Sequence, residues 1–197
     1  MKKVELLLVG LSVLAFIMNY FHLPSSQLLI IFSLFSISLV YFYLGFALFN
    51  DIRFRRIFKK ESYNGISKNR IIGGVGVGLA LSFSAIGILF KFQSWPGASE
   101  QLGIGLLGLV IVTVISLIKI KKSTNNYYPN ILKRAVCFGT VCAFLVVIPT
   151  GSWLNWKYPN NPEYVNAVLN ARANPDNQEL WDKVTQEREK MNNDLNK

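Results

Sequence analysis

The sequence predicts an all-α integral membrane protein. Five transmembrane helices form two parallel-repeat hairpins plus one further span, and short helices outside the membrane follow. Three observations predict this. Apolar residues make up 51% of the 197 residues and charged residues only 16%, against about 25% charged in an ordinary soluble domain. The acids are unevenly spread: Glu5, Asp51, Glu61 and Glu100 are the only ones before Pro149, and seven more follow it. The apolar residues gather into runs near the ~20 residues that a helix needs to cross a hydrocarbon core of about 30 Å. Together these exclude a soluble enzyme and a disordered chain, which would lack this much Leu, Ile, Val and Phe.

The first span runs from Val4 to Phe21. A cleaved signal peptide is its competing reading, because Met1-Lys2-Lys3 is a basic start. The apolar stretch is longer than a signal core, and Phe21-His22-Leu23-Pro24 has no small-x-small cleavage pattern, so the span is expected to stay. The second span is Gln27 to Phe49, the third Ile71 to Phe92 and the fourth Gln101 to Ile118. The fifth, Ile131 to Ile148, is the weakest, because Lys133 and Arg134 stand in its first turn, from where they would snorkel to the interface. The predicted division is a five-span bundle over 1–149 and a periplasmic helical tail over 150–197.

Orientation follows from Lys and Arg. With five alternating spans, 14 of the 15 basic residues before the tail fall on one side, Lys91 being the exception. The positive-inside rule then gives a cytoplasmic N-terminus and a C-terminus on the opposite side; the expected membrane is the bacterial inner membrane, with the C-terminus periplasmic. The same distribution accounts for the net charge of +10 without a nucleic-acid partner. These basic loops face anionic head groups, and Arg53-Phe54-Arg55-Arg56-Ile57-Phe58-Lys59-Lys60 reads as a juxtamembrane stub.

Spans one and two, and spans three and four, are hairpins with very short connections. An offset of 72 residues lays Pro24 on Pro96, and both prolines stand between an apolar helix end and two small residues. The two hairpins point the same way, so a duplication here is parallel, unlike the inverted repeats of many transporters.

Gly103-Ile104-Gly105-Leu106-Leu107-Gly108 matches the dinucleotide-binding pattern letter for letter, but it sits inside an apolar span with no preceding strand. Gly103, Gly105 and Gly108, with Gly74 and Gly78, instead read as small-residue faces that bring spans three and four together. Cys137 and Cys142 are five apart on a helix and cannot pair with each other. His22 is the only histidine, and no catalytic set, metal-ligand set or cofactor motif accompanies it. No enzymatic activity and no cofactor are expected.

Lys91 stands near the outer end of span three, nine residues before Glu100 across the Trp95-Pro96-Gly97 turn. It admits two readings: an interfacial anchor that snorkels outward and pairs with Glu100, or a functional charge in the membrane. The string Leu89-Phe90-Lys91-Phe92-Gln93-Ser94-Trp95-Pro96-Gly97-Ala98 resembles the transmembrane hairpin of the GldL family, membrane proteins of gliding motility and type IX secretion. The likeness covers Gly73 to Ile118. Lys91, Trp95, Pro96, Gly97 and Ala98 agree with the family string, and Ser94 stands where the family has histidine. The resemblance implies that Lys91 belongs to a membrane charge system. It also lays the family's proton-handling glutamate on Leu109, which cannot titrate, and the family has two spans where this chain has five. The expected role is therefore that of a GldL-related structural or accessory component of an envelope assembly. Its partners would be the lipid bilayer and other envelope membrane proteins or copies of itself. The rival reading is a small proton-coupled or ion-conducting protein using Lys91 and Glu100.

In the tail, Trp153, Trp156 and Tyr158 read as an interfacial aromatic belt. Asn161-Pro162-Glu163 and Asn174-Pro175-Asp176 each place Asn before a first-turn Pro and an acid. They predict helices over 162–172 and 175–192, the second with Leu180, Val184 and Met191 on one side and Trp181 beside them. So little apolar content predicts a tail that leans on the outer loops or a partner rather than folding alone.

Overall fold

The computed structural model describes residues 1–21, 23, 25–121 and 126–195. Expectations resting on His22, Pro24 and Lys122 lie outside the described residues. Within them the chain is all-helical, with no strand. Five helices are long and apolar enough to cross a membrane: α1 Lys2–Tyr20, α2 Ser26–Phe49, α3 Lys68–Gln93, α4 Ala98–Ile120 and α5 Tyr127–Val147. The chain divides into two compact units, Met1–Val146 and Val147–Lys197.

The first unit is an alternating bundle, as cross-helix contacts at known heights demonstrate. Lys2 at the start of α1 meets Asp51 just past the end of α2, at 2.5 Å. The Tyr127 hydroxyl at the start of α5 donates to the carbonyl of Arg70 at the start of α3, at 2.9 Å. With Gly74 near the start of α3 against Phe46 near the end of α2, and Gly87 late in α3 against Leu102 early in α4, the beginnings of α1, α3 and α5 and the ends of α2 and α4 share one end of the bundle. In lipid each helix satisfies its own backbone bonds, so what remains to be settled is which faces meet.

Turn chemistry sets the helix ends. Ser67 caps α3, its hydroxyl accepting from the Arg70 N–H. At the other end Ser94 is left-handed, and its N–H and that of Trp95 return to the carbonyls of Lys91 and Phe90, which closes the last turn. The repeat offset reappears in the backbone. It carries Ser26, the first residue of α2, onto Ala98, the first of α4, and it carries Ser25 onto Gly97. Both of these cap residues are left-handed, with φ of 66° and 77°. Glycine takes that conformation without strain, whereas Ser25 takes it at a cost of about 1 kcal/mol.

The fifth span begins earlier than its apolar run. Tyr127, Tyr128, Pro129 and Asn130 are already helical, and Pro is acceptable there because a first-turn N–H needs no intrahelical partner. Arg134 therefore lies about 10 Å along the helix rather than in its first turn.

α3 is the most enclosed span. It meets α2 on one side and α4 on the other, and it places Ser82 against Ser38 of α2, hydroxyl to hydroxyl at 2.8 Å. α5 lies across the bundle and reaches all four other spans. Arg134 reaches Glu5 of α1, Phe138 sets its ring edge on Tyr41 of α2, and the Cys142 sulfur faces the Ser84 carbonyl of α3. Gly139 faces Leu109 of α4.

The second unit holds α6 Thr150–Lys157, α7 Pro162–Ala173 and α8 Gln178–Leu195. It departs from expectation in three ways. Trp153 and Trp156 belong to a helix, α6, that is not among those expected from sequence. The second predicted helix starts at Gln178 instead of Pro175, because the Asn177 side chain takes the Glu179 N–H at 3.0 Å and makes Asn177 the cap. The tail also has a core of its own: Leu154, Tyr164, Val165 and Val168 are buried, with Tyr158, Leu169, Val184 and Met191 packed on them. The small-residue run of α7 allows this, since Ala167 and Ala171 are buried there and let its neighbours approach closely.

Candidate functional site

Two features concentrate the chemistry of the bundle: a buried polar clamp at the N-terminal end, and the α3–α4 hairpin that carries Lys91.

The clamp is built from three helices. Glu5 lies on the narrow buried face of α1 with Leu8, Ser12 and Ala15, and is 5% exposed. Arg134 of α5 grips both of its carboxylate oxygens. Nη2 donates to Oε2 at 2.5 Å and Nε donates to Oε1. Tyr41 of α2, fully buried, donates its hydroxyl to the same Oε1 at 2.8 Å. Arg134 also donates to the Asn130 carbonyl one turn below, and its guanidinium faces the Phe49 ring 5.6 Å from the centroid. The charges neutralise each other, and the Arg fork matches the carboxylate geometry, as a buried ion pair requires.

From sequence Arg134 reads only as an interfacial residue, and none of the three is placed in a site. Arg134 reaches back toward the start of α5, where it meets Glu5 in the first turn of α1. A signal was present in the sequence. Glu5 is an acid inside an apolar run at the basic end, and a charge in a span needs a partner of opposite sign.

The structure sorts the glycines differently from the reading that gave them all to spans three and four. Gly105 and Gly108 do face α3: a Cβ on Gly105 would stand 2.7 Å from the Ser84 Cα, and one on Gly108 3.1 Å from the Ala80 Cβ. Gly74 and Gly78 instead face α2, meeting Phe46, Tyr41 and Gly45. Gly103 faces neither, since a Cβ there meets nothing within 4 Å. Two further contact glycines complete the seams, Gly45 of α2 against Gly78, and Gly87 of α3 against Leu102.

Lys91 does not turn outward. It is 3% exposed in the last turn of α3, enclosed by protein. Glu100 is exposed, and no ion pair joins it to Lys91 among the described residues. Trp95 is partly exposed and sets its ring edge-on to Phe90 at 5.2 Å, Pro96 is exposed, and Gly97 supplies the left-handed start of α4. Phe92 stacks on Phe16 of α1 at 4.4 Å, and the Gln93 side chain donates to the Gln27 carbonyl of α2. The hairpin is thereby held against the first two helices. Leu109, where the GldL resemblance lays a glutamate, is 1% exposed and faces Gly139 of α5, so that position is an apolar packing site.

In the tail, burial of the Lys157 amine, with the Arg188 charge adding to it, pulls its pKa down to about 8. Burial pushes the neighbouring Tyr158 hydroxyl up to about 12, and Tyr164 beside it acts in the same direction.

An all-helical bundle with five apolar spans defines the class, a multi-pass membrane protein. Comparison with protein-family models, with curated proteins and with solved structures finds no match to this chain.

Proposed function

We propose that the chain is a non-enzymatic protein of the bacterial inner membrane, related to the GldL family, that serves as a structural or accessory component of an envelope assembly. The observation that carries this reading is the clamp. Its ionisable groups are locked to one another by a two-point Arg–carboxylate pair and a tyrosine hydroxyl, an arrangement suited to holding three helices rather than to exchanging protons. Leu109 supports it as well, since an apolar side chain fills the position where the resemblance would place a proton carrier. The string Lys91 to Ala98 supports the relation to GldL. The partners are other envelope membrane proteins or further copies of the chain. The basic residues at the clamp end support a cytoplasmic N-terminus and a periplasmic tail.

One observation favours a second reading. Lys91 is buried, as a functional charge in a membrane would be, and a proton-coupled or ion-conducting protein would use it. Reconstitution into liposomes containing a pH-sensitive dye separates the two. The accessory reading expects no proton flux beyond that of protein-free vesicles under an imposed pH gradient. Flux that Lys91→Met abolishes would replace it with the conducting one. Orientation is tested separately in a Cys137→Ala, Cys142→Ala background. An impermeant thiol reagent should label Asn177→Cys and leave Asn64→Cys unlabelled in intact cells, and the reverse pattern would invert the topology.

A further inference from the structure

Between α3, α4 and α5 a groove of about 470 Å³ opens toward the lipid side of the bundle. Its floor is made of Gly73, Gly76, Ala80 and Gly108, and its walls of aliphatic and aromatic side chains such as Ile111 and Phe83. From Gly73 to Phe83 it follows α3 for about 15 Å, half of a hydrocarbon core of about 30 Å and therefore the depth of one leaflet. Gly76 explains why the space exists. A Cβ there would meet nothing within 4 Å, so this glycine is not used to bring helices together. Glycine in a helix interior is less favourable than alanine, and the groove is what its missing side chain leaves open.

The mouth has a chemistry of its own. Asn69, Lys119 and Tyr128 rim it, and Tyr127 lines it with Arg70 stacked over its ring, 4.5 Å from the centroid. The Arg70 Nε is buried without a hydrogen-bond partner. No acid lines the groove among the described residues. At the same end of the bundle, Glu5 and Asp51 are already held by Arg134 and Lys2.

We propose that this groove binds one acyl chain of an anionic phospholipid, with the lipid phosphate at the mouth between Lys119 and Arg70. An apolar slot of leaflet depth that ends in two cations and hydrogen-bond donors fits a lipid with a negative head group. The inference is independent of the accessory role proposed above.

Native mass spectrometry of the full chain from mild detergent tests it, with phosphatidylglycerol and phosphatidylcholine of equal chain length supplied together. Wild type should retain phosphatidylglycerol in preference. Lys119→Gln and Arg70→Gln should each reduce that preference about five-fold and leave phosphatidylcholine retention unchanged. Gly76→Leu, which fills the groove, should lose both lipids. Lys119 is exposed, so Lys119→Gln remains informative if Gly76→Leu fails to fold. Equal retention of the two lipids by wild type, or unchanged phosphatidylglycerol retention in Lys119→Gln, overturns the proposal. So does displacement of the lipid by millimolar inorganic phosphate but not by chloride, which would mark a plain anion site. A wild-type dimer that Gly76→Leu dissociates would assign the groove to a second copy and also overturn it.

Discussion

Two regions of the bundle hold helices together by opposite means. Along α2–α3–α4 the backbones approach closely at Gly45, Gly74, Gly78, Gly87, Gly105 and Gly108. α5 has no such seam and is held instead by side chains that reach, Arg134 to Glu5 above all. The difference follows from the solvent. Lipid tails are as apolar as leucine, so burying leucine between helices gains little. Association must come from close van der Waals contact or from polar bonds that lipid cannot replace. The inner three helices use the first device, and the helix that spans the rest uses the second. The two should fail differently, since a seam tolerates loss of side chain but not gain, and a clamp the reverse.

The largest effect is expected where the clamp is half removed. Glu5→Ala leaves a buried guanidinium without its counter-charge, and should destabilise by about 3–5 kcal/mol. The double variant Glu5→Leu/Arg134→Leu should recover most of that loss, because no charge is then stranded. Thermal unfolding in detergent, arranged as a double-mutant cycle, measures both. Additive losses would show that the pair does not act as a unit.

The seams come next. Gly105→Leu and Gly78→Leu should each destabilise by about 1–3 kcal/mol or more through overpacking. Gly103→Leu and Leu107→Ala should change little, because Gly103 faces open space and Leu107 is exposed. Melting temperatures in one detergent rank the four variants, and a Gly103→Leu as damaging as Gly105→Leu would remove the seam from α3–α4.

A smaller loss, about 1 kcal/mol, should follow Tyr41→Phe, which deletes one hydrogen bond to Glu5 and keeps the ring that packs on Phe138. The size of that loss divides the clamp between its ion pair and its hydroxyl.

The smallest effect concerns the tail, which uses neither device but a small apolar core. The Lys157 pKa lies near 8 when folded, below the ordinary lysine value of 10.5. Between those two values the unfolded chain holds a proton that the folded chain has released, so stability rises with pH from about 8 upward. Tyr158 acts in the opposite sense only above pH 10, where an unfolded tyrosine ionises and the folded one, near 12, does not. Denaturant titrations of the full chain, followed by tryptophan fluorescence, should give a tail more stable at about pH 9.5 than at about pH 8. Lys157→Met should flatten the dependence.

The membrane architecture was legible from the sequence because it rests on two local rules. Hydrocarbon thickness sets the length of a span, and the backbone must satisfy itself within each one. Ser25 and Gly97 show how far locality reaches: the turn residues of both hairpins stand where a 72-residue offset puts them. Partnership was not legible. A helix that is apolar all round has no stripe to say which side is inside, so the glycines of α3 could not be shared correctly between α2 and α4. Arg134 and Glu5 lie 129 residues apart and meet only because α5 crosses the bundle. Lys91 admitted an interfacial reading because its distance from the helix end can be counted, whereas its burial depends on packing that no count along the chain reveals. The sequence by itself determined the five spans and their approximate limits. The tertiary structure decided which neighbour each face and each charge would find, because contacts between distant helices depend on how all five pack at once.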